Sequence, residues 1–232
     1  MSASAVQNTA DKTEATGWRA ELGLHFASRG QKTVLAERKQ RGPLAIQRPF
    51  YPEGDVCHAY VLHPPGGVVG GDRLNINLHT ESDAAALLTT PGATKFYRSA
   101  GPEAHQHQKF SVSGSLEWLP QENIFFPGAN SRLTTHIDLT ADARYIGWEI
   151  QCLGRPVISE RFDHGQLVLS TQLFRARKPL FIDRLSINGA GDLSGSAGLR
   201  DQPVMATLLA TPATAEALTL TQPLCAQNLQ WG

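Results

Sequence analysis

His63-Pro64-Pro65-Gly66-Gly67-Val68-Val69-Gly70-Gly71-Asp72 runs directly into Arg73-Leu74-Asn75-Ile76-Asn77-Leu78-His79, and the junction settles what kind of chain this is. A glycine-rich loop that opened a helix would invite a phosphate-binding reading, with backbone amides and a helix N-terminus cradling the anion. The residues that follow do not have helical spacing. Leu74, Ile76 and Leu78 fall on one parity, and Arg73, Asn75, Asn77 and His79 on the other. That alternation is a half-buried strand. The G-G-x-x-G-G spacing also matches neither the dinucleotide fingerprint nor the P-loop, and no Lys-Ser/Thr pair follows. The loop therefore joins two strands, and its glycines serve the backbone, by positive φ or by close strand approach.

The same period-two pattern extends outward along the chain. In 132–139, Leu133, Ile137 and Leu139 share one parity, and His136 and Asp138 the other. In 144–152, Ile146, Trp148, Ile150 and Cys152 share one face, and Tyr145, Gly147, Glu149 and Gln151 its opposite. Strands are expected over 18–28, 33–38, 56–63, 73–79, 84–90, 105–112, 115–119, 132–139, 143–151, 166–171 and 180–187, punctuated by Gly and Pro. The one helix expected is short, Ala213–Leu218, and the Gly/Ser/Asp-rich stretch Gly189–Gly198 reads as a loop. No composition break divides the chain and no strict internal repeat is visible. The expected fold is mainly β: many short strands in stacked or coiled sheets, a β-helix-like layered architecture with few helices. One domain is expected over 17–232, after a disordered Ala/Ser/Thr tail over 1–16.

At 232 residues the chain is long enough to bury a sizeable core, and its formal net charge is zero. No basic stripe suggests a nucleic-acid surface. A near-neutral protein associates more readily than a strongly charged one, so protein partners are expected. No stretch approaches the roughly 18 apolar residues of a membrane helix. The N-terminus lacks the basic start and apolar core of a secretory signal. Three cysteines, Cys57, Cys152 and Cys225, are far apart and odd in number, which fits reduced thiols in a cytoplasmic protein.

Candidate chemistry is sparse. His105 and His107 sit two apart on one face of an expected strand, within reach of one metal ion, although a solvated strand face explains them as well. Asp72 closes the glycine loop, Glu122 sits in the apolar run Trp118–Phe126, and Glu149 follows Trp148. Buried carboxylates are costly unless paired, and Arg73, Arg98 and Arg155 are available for structural ion pairs. The functional alternative is a carboxylate-lined polar route for a hard or borderline cation in passage. No G-x-S-x-G elbow is present, and the neighbours Cys57 and His58 point to opposite strand faces, wrong for a catalytic pair.

Three blocks resemble a known family: His63–Asp72, Thr89–Arg98 (Thr-Thr-Pro-Gly-Ala-Thr-Lys-Phe-Tyr-Arg) and Glu117–Glu122 (Glu-Trp-Leu-Pro-Gln-Glu). With Gly147-Trp148-Glu149, Gly154-Arg155 and Glu160 following in order, they look like the signature blocks of the UreD (UreH) urease accessory proteins, from about Trp18 to near the C-terminus. The resemblance implies a non-catalytic maturation chaperone that binds apo-urease subunits, recruits UreF and through it the GTPase UreG, and serves nickel insertion. No tightly bound cofactor is implied, only transient nickel. By position in the matching blocks, Asp72, Glu122, Glu149 and Glu160 would line a nickel route, with Arg98 and Arg155 orienting or neutralising them. Asp72→Ala is then expected to lower urease activation and leave the fold intact. Family members extend further, with a final helical stretch, whereas this sequence stops at Trp231-Gly232. Ala213–Leu218 is expected to begin that stretch. Two other classes stay open: a small-molecule enzyme using the glycine loop with His63 and Asp72, and a plain β-rich interaction module.

Overall fold

The computed structural model describes residues 17–195 and 198–227. The tail expected over 1–16 lies outside the described residues. In chain order the strands are β1 (Arg19–Arg29), β2 (Lys32–Arg41), β3 (Ala45–Ile46), β4 (Cys57–Leu62), β5 (Arg73–Thr80), β6 (Ala85–Thr89), β7 (Thr94–Phe96) and β8 (Ala104–Val112). They continue with β9 (Ser115–Trp118), β10 (Asn123–Phe125), β11 (Asn130–Leu139), β12 (Arg144–Arg155), β13 (Glu160–Arg161), β14 (Gln166–Arg175), β15 (Lys178–Ile187) and β16 (Val204–Thr211). Two helices, α1 (Ala190–Ser194) and α2 (Ala215–Gln227), complete the secondary structure. The fold is mainly β, as the alternation in the sequence predicts.

One sheet runs β15-β14-β11-β8-β5-β1-β2, and the other β3-β4-β6-β9-β12-β10-β7, with β13 and β16 also paired to β12. From β4 to β12 the chain alternates between the sheets, so that successive passes stack in parallel: β4 on β6, β6 on β9, β9 on β12. Cys57 lies beside Ala86, Ala86 beside Leu116 and Leu116 beside Tyr145, so each coil takes 29 or 30 residues. All four are buried, forming one internal row. The sequence carries no strict repeat because the coil constrains only which positions face inward, and many residue types satisfy that.

The core lies between the sheets. Phe110 of β8 packs on Trp118 of β9 with ring centroids 5.3 Å apart, and Leu78, Phe110, Ile137 and Leu173 form an apolar row across four strands. In β11 the inward parity is Ser131, Leu133, Thr135, Ile137 and Leu139, all buried. In β12 the inward parity is Tyr145, Gly147, Glu149 and Gln151, while Ile146 on the apolar face is exposed.

The eleven expected strands are all present, and β3, β7, β10, β13 and β16 are additions. Four of these are two or three residues long, too short to leave a periodic signature. β16 is unpatterned and owes its extension to the ladder it forms with β12, from Tyr145↔Thr211 to Cys152↔Val204. α2 starts two residues later than expected, where the Thr214 hydroxyl accepts the Ala217 N–H and caps its first turn, and it runs on to Gln227. The segment expected as a loop over Gly189–Gly198 holds the five-residue α1.

Candidate functional site

The glycine loop shows how this region is held. Gly66 and Gly71 have positive φ, at 75° and 93°. Gly67 and Gly70 serve close approach: a Cβ would come within 2.2 Å of the Tyr97 ring at Gly67 and 2.1 Å of Ser99 Oγ at Gly70. Asp72 closes the loop as an anchor. Its buried carboxylate accepts the Trp18 N–H at 2.8 Å and the Val69 N–H at 2.9 Å, tying the start of β1 to the loop before β5. These bonds give Asp72 a structural task, at odds with the expectation that its removal leaves the fold intact.

Between the sheets is a cavity of about 230 Å³ whose lining includes His63, Gln106, Gln108, Trp118, Asn123 and Glu149. The polar groups come from both sheets. Gln106 and Gln108 share the inward parity of Phe110 and Val112 on β8 and are buried. In the neighbouring strands Gln108 sits beside Thr135, and Thr135 beside Thr171, so a polar row crosses β8, β11 and β14. From the opposite sheet Glu149 reaches this row. The Thr135 hydroxyl donates to Glu149 Oε1, and the Thr171 hydroxyl donates to Oε2 at 2.7 Å.

Glu149 loses only part of its accessible area, but protein surrounds it, and burial pushes its carboxyl pKa up. The two threonine hydroxyls oppose that rise, and the charge of Asp183 adds to it. The Tyr145 phenol is pushed up too, first by burial and then by Glu149. Burial pushes the His63 imidazole down, against the pull of Asp72, which favours the neutral ring that can act as a metal ligand. Gln108 Oε1 and the Trp118 indole N–H, on two residues of the cavity wall, are buried without a hydrogen-bond partner among the described residues.

The remaining predicted residues are placed elsewhere. Glu160 is held by Arg155 through two hydrogen bonds, one of them 2.7 Å, beyond the far end of β12. That pairing lowers the Glu160 carboxyl pKa. Glu122 is half-buried in the turn before β10 and accepts the Thr94 N–H at its carbonyl. His105 Nε2 lies 3.1 Å from Glu103, and His107 Nδ1 lies 2.7 Å from Thr134 Oγ1, both on the outer face of the sheet. Arg155 forms an ion pair with Glu160, whereas Arg73 and Arg98 form no ion pair among the described residues. The four predicted carboxylates are not gathered into one cluster. Among the described residues no three His, Cys, Asp or Glu side chains are grouped to hold a metal ion.

Sequence reasoning thus found Glu149 but missed its companions Gln106, Gln108, Thr135 and Thr171. A signal for the glutamines was present, since they share the parity of Phe110 and Val112.

Fold and site together define a helix-poor β scaffold, a stacked coil of two sheets around a cavity whose largely apolar wall carries a few polar side chains. The UreD urease accessory protein family matches residues 19–232, and the chain belongs to that family. It is 51% identical over 218 residues to the urease accessory protein UreD of Alcanivorax borkumensis, an alignment covering 91% of this chain and 74% of the relative. It is 49% identical to the UreD of Aliivibrio fischeri strain MJ11 over 87% of this chain and 71% of that protein. Against the UreD of Klebsiella aerogenes the identity is also 49%, over 85% and 73%. Among the described residues no helix is long and apolar enough to cross a membrane.

Proposed function

We propose that this protein is a non-catalytic scaffold of urease maturation: it binds apo-urease, recruits UreF and with it UreG, and lets nickel pass through its interior beside Glu149. Membership of the family supports the part in urease maturation. The observation that carries the finer reading is one inward-facing carboxylate on the wall of the inter-sheet cavity, bonded by two threonine hydroxyls, in a lining that also includes Gln106, Gln108 and His63. A carboxylate with neutral oxygen donors and an imidazole suits a borderline divalent cation. A site of so few charged ligands binds it weakly enough to release it. Nickel is the cargo here, and the chain's task is to bind partners and keep the route polar.

The same buried carboxylate would also serve the enzyme alternative, which needs a perturbed acid in a pocket. One experiment separates the readings. The chain is co-expressed with apo-urease subunits and UreF, the complex is purified, and the matured urease is assayed for nickel content. Glu149→Ala is expected to leave the complex intact and lower nickel per urease active site several-fold. Normal nickel content with the variant would remove the interior route, and failure of the wild-type chain to bind either partner would remove the scaffold reading.

A further inference from the structure

On the outer face of the seven-stranded sheet, turned away from the core, an open hollow of about 330 Å³ lies across β2, β1, β5 and β8. Its floor includes Gly23, in the middle of β1. A glycine inside a strand loosens the backbone and packs nothing, so its presence calls for a reason. Local backbone geometry supplies none. Gly23 has no left-handed φ, it pairs in regular register with Lys39, and the bulge of β1 comes later, between His25 and Phe26. Crowding supplies none either: a Cβ would meet nothing closer than the Lys39 Cβ at 3.5 Å, an ordinary contact. What the missing side chain leaves is open space on the strand, the kind of place where a ligand approaches a backbone.

The rim of the hollow is built from donors. In the row through Gly23 the register sets Lys39 on β2, Asn77 on β5 and Lys109 on β8, all exposed. The row beside it adds His79 and Ser111. Among the described residues none of these five side chains has a hydrogen-bond or ion-pair partner, and His79 rests only against the His25 ring, with centroids 4.8 Å apart. His25 itself is taken up by Glu81 at 3.0 Å. Glu37 is the carboxylate of the lining, and it pairs with neither lysine. The backbones of Lys39 and Lys109 are three strand spacings apart, about 14 Å, so two long side chains leaning inward reach one ligand above Gly23 and Asn77. Nothing in the sequence shows this grouping, because only the pairing of four strands brings the two lysines to one row.

We infer that this hollow is an anion site and that its ligand is a phosphate group. Two ammonium groups on opposite sides, with amide, hydroxyl and imidazole groups between them, suit a compact anion that carries several acceptor oxygens. A carboxylate, with two oxygens in one plane, leaves part of that donor set unmet. The site lies on the opposite side of the sheet from the inter-sheet cavity, and it stands or falls independently of the nickel route.

The test is a calorimetric titration of the purified full chain with inorganic phosphate, in sodium chloride at constant ionic strength. Gly23→Val fills the floor without changing any charge, and a β-branched residue suits the strand, so this variant should melt no lower than the wild type. It is expected to weaken phosphate binding at least about tenfold, a loss that diffuse attraction to a basic face would not produce. Lys39→Gln and Lys109→Gln should each weaken it at least about fivefold, and they carry the test if Gly23→Val does not fold. Arg184→Gln removes an exposed charge from the same face at β15, away from the hollow, and should change affinity less than about twofold. Absence of saturable phosphate binding by the wild type would overturn the site. So would binding that a folded Gly23→Val leaves unchanged, or that Arg184→Gln weakens as much as Lys109→Gln does.

Discussion

Replacing Glu149 by Gln should change how stability depends on pH, in a direction that the structure fixes. Burial raises the Glu149 pKa in the folded protein above that of the unfolded chain. Between those two values the folded state holds the proton more tightly than the unfolded state, so stability falls as pH rises. Below the unfolded value both states are protonated and the penalty is absent; above the folded value it is complete and constant. One group contributes at most about 1.4 kcal/mol per pH unit inside that window. For a chain of this size that corresponds to about 3 to 6 °C in melting temperature per unit. Gln is nearly isosteric and keeps an oxygen for one of the Thr135 and Thr171 hydroxyls, and its amide nitrogen can donate to the other. The assay is a series of thermal melts of the wild type and Glu149→Gln, from just below the ordinary carboxylate range to neutrality. Every other titrating group is common to both proteins, so the difference between the curves isolates Glu149. The variant should gain on the wild type as pH rises and be the more stable at neutrality. Curves that stay parallel across the range would refute the upward shift that burial gives the Glu149 carboxyl.

Two further outcomes follow from the placement of the other predicted residues. Asp72→Ala leaves the Trp18 and Val69 N–H groups without their acceptor and should cost about 2 to 4 kcal/mol of unfolding free energy, read as a lower denaturant midpoint; an unchanged midpoint would deny Asp72 its anchoring role. Loss of urease activation in that variant would therefore report on stability before it reported on nickel. His105 and His107 are engaged by Glu103 and Thr134 on the outer face, so replacing both by Ala should leave nickel delivery within about twofold of wild type, and a larger fall in nickel per urease would place them on the route.

Much of this protein was legible in its sequence because a strand writes its two faces as alternate residues. Leu74, Ile76 and Leu78 marked β5, and Phe110 and Val112 put His105 and His107 on the polar side of β8. Glycines that alternation could not accommodate marked the loop between β4 and β5, and order and spacing of blocks along the chain marked the family. What alternation cannot say is which face meets the other sheet. In β12 the apolar parity of Ile146, Trp148 and Ile150 turned outward, and the parity carrying Glu149 and Gln151 turned in. Register across a sheet is equally silent in sequence, because Gln108, Thr135 and Thr171 are 27 and 36 residues apart and become neighbours only when their strands pair. Local pattern set the strands and their two faces. Tertiary structure alone turned Glu149 toward that row, because stacking the coils decides which faces become interior.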